Sequence, residues 1–156
     1  LQKAEYVMSR KHNPSYVKRG PNSLKELIQE RKDFESIWND LSHLQAQCFQ
    51  LNQSPTQVVA LLRNQELVAR VADKASLVQL ANTLNRDVQD FSTRLNQLNA
   101  AVDQHRGGVV DLPKLSLLMD VAQAYDQWIT SYQLVVVPTA MQITDLFNQL
   151  NQNPQV

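Results

Sequence analysis

Residues 77–102 read LVQLANTLNRDVQDFSTRLNQLNAAV, and this stretch decides the fold. Leu77, Leu84, Phe91 and Leu98 recur every seven residues, and Ala81, Val88, Leu95 and Val102 recur every seven, four positions later. A helix turns once in 3.6 residues, so two seams offset by four share one face and form a continuous apolar stripe. Between them stand Asn82, Asn85, Arg86, Asp87, Gln89, Asp90, Arg94, Asn96, Gln97 and Asn99, a polar face richer in amides than in ion pairs. Gly107-Gly108 predicts the stop, with His105 and Arg106 in the last turn, where cations suit the helix dipole.

Upstream, Ser23-Leu24-Lys25-Glu26 is a capping box, and Pro21 stops any earlier helix. Leu27, Phe34, Leu41 and Cys48 then recur at sevens, with Ile37, Leu44 and Leu51 offset by three and Trp38 and Phe49 widening the stripe. Cys48, in the seam, reads as a small buried hydrophobe, and His43, off it, as solvent-facing. Asn52-Gln53-Ser54-Pro55 predicts the end of this helix and the start of another, Ser54 as N-cap and Pro55 in the first turn. Two short helices follow, one from Pro55 to about Asn64 and one over Glu66 to Ala72; a single helix over 55–105 is the alternative.

Downstream, Asp111-Leu112-Pro113 opens a third long helix, in which Leu118, Tyr125 and Tyr132 recur at sevens, as do Val121, Trp128 and Val135. Val135-Val136-Val137-Pro138 interrupts the pattern and predicts a bend or break, because proline lacks an amide donor and crowds the preceding turn. Helical spacing resumes at Met141, Ile143, Leu146, Phe147 and Leu150. The expected architecture is all-α: an elongated up-down-up bundle of three long helices, two short helices between the first and second, and an extended N-terminal arm. Its parts are an arm over 1–22, a bundle over 23–150 and a frayed tail over 151–156.

A chain of 156 residues suits one domain with a full core. Three glycines argue against sandwiches, barrels and phosphate-cradling loops, and one cysteine excludes a disulfide framework and a cysteine zinc site. The longest aliphatic run, Leu134-Val135-Val136-Val137, is far short of the ~20 residues that span a bilayer, so a soluble protein is expected, cytoplasmic or within a virion or other large particle. The start at Leu1 rather than Met hints at cleavage from a precursor or at trimming.

The net charge is zero, with 15 basic and 15 acidic residues, but it is segregated. Residues 1–32 hold eight cations against Glu5, Glu26 and Glu30, and the remainder holds seven cations against twelve acids, so a basic N-terminus precedes an acidic body. Tyr6, Arg10, Lys11, Tyr16, Lys18 and Arg19 mix cations with aromatics, while Pro14, Gly20 and Pro21 oppose a continuous helix. This arm is the candidate partner-binding segment, for an acidic protein surface or nucleic-acid phosphate; folding back on its own acidic body is the plain alternative.

Chemistry is hard to find. The sequence lacks a glycine-rich phosphate loop, HExxH, GxSxG and the Glu-x-x-His pairs of di-iron bundles. His12, His43 and His105 are scattered; Asp87 and Asp90 have Arg86 and Arg94 beside them and read as solvated pairs; Tyr125, Trp128 and Tyr132 read as core at helical spacing. The expectation is a non-catalytic structural or assembly protein, with no cofactor, metal or small-molecule substrate, packing through its helices and arm against other subunits or copies, as a virion or large-complex component does. The rivals are a nucleic-acid accessory factor using the arm, and a helical adaptor or chaperone holding an amphipathic helix in a groove.

Overall fold

The computed structural model describes residues 24–108 and 111–152. The expected arm over 1–22, its six candidate residues and the Ser23 cap lie outside them, as do 153–156 of the expected tail. The described chain is helical, and no strand occurs among the described residues. Four helices follow one another: α1 (Leu24–Leu61), α2 (Gln65–Arg70), α3 (Lys74–Gln104) and α4 (Leu112–Gln152).

The chain divides into two compact units. Of the described residues, the first comprises those up to Gln47 with those over 95–127; the second comprises Cys48–Arg94 with those from Trp128 onward. Each unit therefore takes one part of α1, one of α3 and one of α4, and α2 belongs to the second.

The seams read from the sequence supply much of the core of each unit, although Ala81, Val88, Leu95 and Leu98 of α3 and Val121 of α4 are only half-buried. In the first, Phe34, Ile37, Leu41 and Leu44 of α1, Val102 of α3, and Leu115, Leu118, Met119, Ala122 and Tyr125 of α4 are buried. In the second, Cys48, Val58, Leu77, Leu84, Phe91, Trp128, Tyr132, Val136, Ile143 and Phe147 are buried. His43 is exposed, as its place off the seam implied.

Three sequence expectations fail. The first helix does not end at Asn52–Pro55: α1 runs on to Leu61 with Pro55 inside it, so Ser54 is no N-cap and one short helix, not two, precedes α3. The heptads explain this, because Cys48 is followed seven residues later by buried Pro55, and Leu51 by buried Val58. Burying a valine contributes roughly 1.5–3 kcal/mol, comparable with the ~3 kcal/mol cost of an interior proline. Phe49 does not widen the stripe either; it is 66% exposed.

The second failure is at Pro138, where α4 is unbroken. Burial passes from Tyr132 to Val136, Ala140 and Ile143, an eleven-residue step, and Val135 is left outside. Eleven residues make about three full turns, so the stripe stays on one face and the helix keeps its reason to continue. Both interior prolines precede a threonine whose hydroxyl donates four residues back: Thr56 Oγ1 to Asn52 O at 2.6 Å and Thr139 Oγ1 to Val135 O at 3.2 Å.

The third failure is the end of α3. It closes at Gln104, so His105 and Arg106 lie in the turn beyond, bonding back to the carbonyls of Val102 and Asp103. Gly108 then takes φ 84°, a left-handed value that suits glycine at a helix-to-helix turn.

Helix ends are satisfied locally. Asn64 Oδ1 accepts from the Leu67 amide at 3.2 Å to start α2, and Asp111 Oδ1 accepts from the Lys114 amide at 2.9 Å to start α4. Lys74 Nζ donates to the carbonyls of Ala69 and Val71 at 2.8 and 2.9 Å, placing a cation at the end of α2 where the helix dipole is negative. Asp73 accepts from the Ser76 hydroxyl at 2.7 Å and from the Ser76 amide at 3.1 Å. These two bonds, the hydroxyl first, hold its carboxyl below the ordinary value.

Candidate interaction surfaces

The first unit carries a polar knot at the edge of its core. Tyr125, fully buried, donates its hydroxyl to Asn99 Oδ1 at 2.6 Å, and Gln45 Nε2 donates to the Tyr125 oxygen at 3.2 Å and to Asn99 Oδ1 at 3.4 Å. One residue from each of α1, α3 and α4 meets there, with Gln45 and Asn99 half-buried beside the buried tyrosine. At the turn after α3, the Arg106 guanidinium lies 5.4 Å from the centre of the Trp38 ring and bonds Asp103 at 3.1 Å. Lys114 Nζ donates to Gly107 O, tying the start of α4 to the same turn.

The second unit is built on aromatic rings instead. Trp128 and Tyr132 stack with ring centres 4.7 Å apart, and Phe91 meets both edge-on at 5.7 and 5.4 Å. Trp128 Nε1 donates to Phe91 O at 2.8 Å, and the Tyr132 hydroxyl donates to Asn52 Oδ1 at 2.7 Å. Burial pushes the Tyr132 hydroxyl well above its ordinary pKa of 10.0. The Arg94 guanidinium lies 4.2 Å over the Phe91 ring. Every polar atom of this cluster is thus engaged in packing, and the rings expected to be core are core.

Titratable groups do not converge. Among the described residues no group of three or more His, Cys, Asp or Glu stands close enough to hold a metal ion, and no described helix is long and apolar enough to cross a membrane. Asp87 pairs with Arg86 at 3.3 Å, while Asp90 is exposed. His43 is exposed on α1, and His105 sits in the turn after α3. Tyr6, Arg10, Lys11, Tyr16, Lys18 and Arg19, the residues singled out by the sequence, lie outside the described residues.

What sequence reading missed is the outward apolar set. Among the described residues the large exposed hydrophobics are Leu117 in the first unit and Phe49, Leu61, Val78, Leu134, Val135 and Met141 in the second. The heptad spacing places Phe49 and Val135 in the core stripe, and the structure leaves both exposed. The signal that could have separated them was the spacing past each proline, which carries the buried face along Cys48–Pro55 and Tyr132–Ile143 and leaves Phe49, Leu134 and Met141 outside.

No protein-family model, curated protein or solved structure matches this chain.

Proposed function

We propose that the chain is a non-catalytic assembly protein: an up-down-up bundle of three long helices that packs against other subunits through its outward helical faces and its basic N-terminal segment. The observation that carries this reading is the number of large apolar side chains left exposed in the second unit, with Phe49 at 66% exposure, Leu134 at 72% and Met141 at 60%. Scattered exposed leucines are ordinary, but several in one unit, on helices whose other faces are filled, are a surface suited to a partner. The Tyr6, Arg10, Lys11, Tyr16, Lys18 and Arg19 segment adds a cationic contact for an acidic neighbour, and twelve acids against seven cations over 33–156 make another copy, or a similar body, such a neighbour.

The test is mass by light scattering at low and high salt, for the full chain and for a chain lacking residues 1–20. Helicity and melting should be unchanged by the deletion. Association beyond that of the shortened chain should be present at low salt and lost both on deletion and at high salt, because exposed charge pairs are screened. Mass indifferent to both changes would overturn the role of the arm. An affinity for oligonucleotide that collapses with salt would move the arm to nucleic acid instead.

A further inference from the structure

The C-terminal half of α4 shows two opposite faces. Tyr132, Val136, Ala140 and Ile143 fill the core of the second unit. On the other side, Thr130, Leu134, Pro138, Met141 and Asp145 are all exposed. At about 100° per residue, Leu134 and Met141 point within roughly 20° of one another, with Thr130 and Asp145 close to the same line. The face is almost free of charge: from Trp128 to Leu150 the only side chain charged at neutral pH is Asp145.

The spacing of this stripe is symmetric. Thr130 precedes Leu134 by four residues, and Asp145 follows Met141 by four. We propose that this face pairs with the same face of a second copy of the chain, α4 against α4 in antiparallel orientation about a two-fold axis between Val137 and Pro138. Leu134 then meets Met141 of the second copy, twice over, and Asp145 meets the Thr130 hydroxyl of the second copy, a donor for its carboxylate. A parallel pairing sets Asp145 against Asp145, a like-charge contact at the end of the seam. Charge also argues against the N-terminal arm as the occupant, because Lys3, Arg10, Lys11, Lys18 and Arg19 would meet one acid here. An isologous contact needs a self-complementary patch, and this stripe is one.

From Thr130 to Asp145 the seam is about 22 Å long, at the small end of specific interfaces, so a Kd of roughly 1–100 µM is expected. Being nearly uncharged, the contact should persist in ~1 M salt, where the Debye length is ~3 Å. The proposal rests on the assembly reading above, and salt separates the two: arm contacts are screened under conditions where the α4 pair survives.

The experiment uses the full chain in ~1 M salt. Sedimentation equilibrium should show a monomer–dimer equilibrium. A chain carrying Leu134→Cys mixed with one carrying Met141→Cys should form a disulfide-linked dimer under mild oxidation, at least several-fold faster than either variant alone. In the antiparallel register, like positions are offset by seven residues, or ~10 Å, beyond the Cα separation a disulfide bridges. Cys48 is fully buried and should stay silent. A monomer up to about 1 mM would overturn the dimer, even if low-salt, arm-dependent assembly remained. Cross-linking of either variant alone as fast as the mixture would overturn the antiparallel pairing.

Discussion

The two units use the same three long helices and hold them together differently. The first has a half-buried hydrogen-bonded knot, Gln45–Asn99–Tyr125, and its only large exposed hydrophobic among the described residues is Leu117. The second has three packed rings, both helix-interior prolines, and six of the large exposed hydrophobics. A polar contact shared by three helices is directional, because shifting one member breaks its bonds to the other two. The buried bond from Trp128 Nε1 to Phe91 O adds a directional contact to the rings as well. The units thus differ in whether amides or rings surround the contact, and most of the large exposed hydrophobics lie in the second.

The largest expected effect tests the ring cluster. Phe91 touches Trp128 and Tyr132 and is nearly fully buried, so Phe91→Ala should cost about 3–5 kcal/mol in urea unfolding. A variant as stable as the parent would deny the second unit its aromatic core. Next comes Pro138, which withholds an amide from exposed Leu134 inside an unbroken helix. Pro138→Ala should raise stability by about 1–3 kcal/mol at dilute chain concentration, read by thermal melting. No gain would mean that the local backbone already absorbs the proline at little cost.

The smallest effect sharpens the contrast through two tyrosines. Tyr125→Phe strips a donor from Asn99 and an acceptor from Gln45, whereas Tyr132→Phe leaves only Asn52 Oδ1 without its donor. Each should cost about 0.5–1.5 kcal/mol at neutral pH, with Tyr125 the larger. Alkali adds a sign. Tyr132 has a raised pKa in the folded chain, so its contribution is complete below the ordinary 10.0 and fades as pH climbs beyond it. The gap between parent and Tyr132→Phe in denaturant titrations should therefore narrow above pH 10. A gap that widened would contradict the burial of that hydroxyl.

Periodicity carried the fold a long way. Leu77, Leu84, Phe91 and Val102 are buried where their spacing put them, and Asp111 caps the last helix. Proline was the misleading signal. At Pro55 and Pro138 a local rule about amide donors was weighed above a seam that runs on past both, through Val58 and Ile143, and tertiary burial overrode it. The polar knot was hidden for another reason. Gln45 and Asn99 sit among many exposed amides, and nothing in residue type separates an amide that finds Tyr125 from one that finds water. The outward stripe of α4 became visible only once Val136, rather than Val135, proved to be the inward residue.

Cys48 closes the comparison in a practical way. It is the only cysteine in the chain, fully buried, and it opens the second unit. A thiol in that position reacts with an alkylating reagent only in molecules that have opened around it. Its labelling half-time under native conditions is thus a built-in clock for opening of the α1 seam. With reclosing faster than alkylation, that clock reads the free energy of opening rather than its rate.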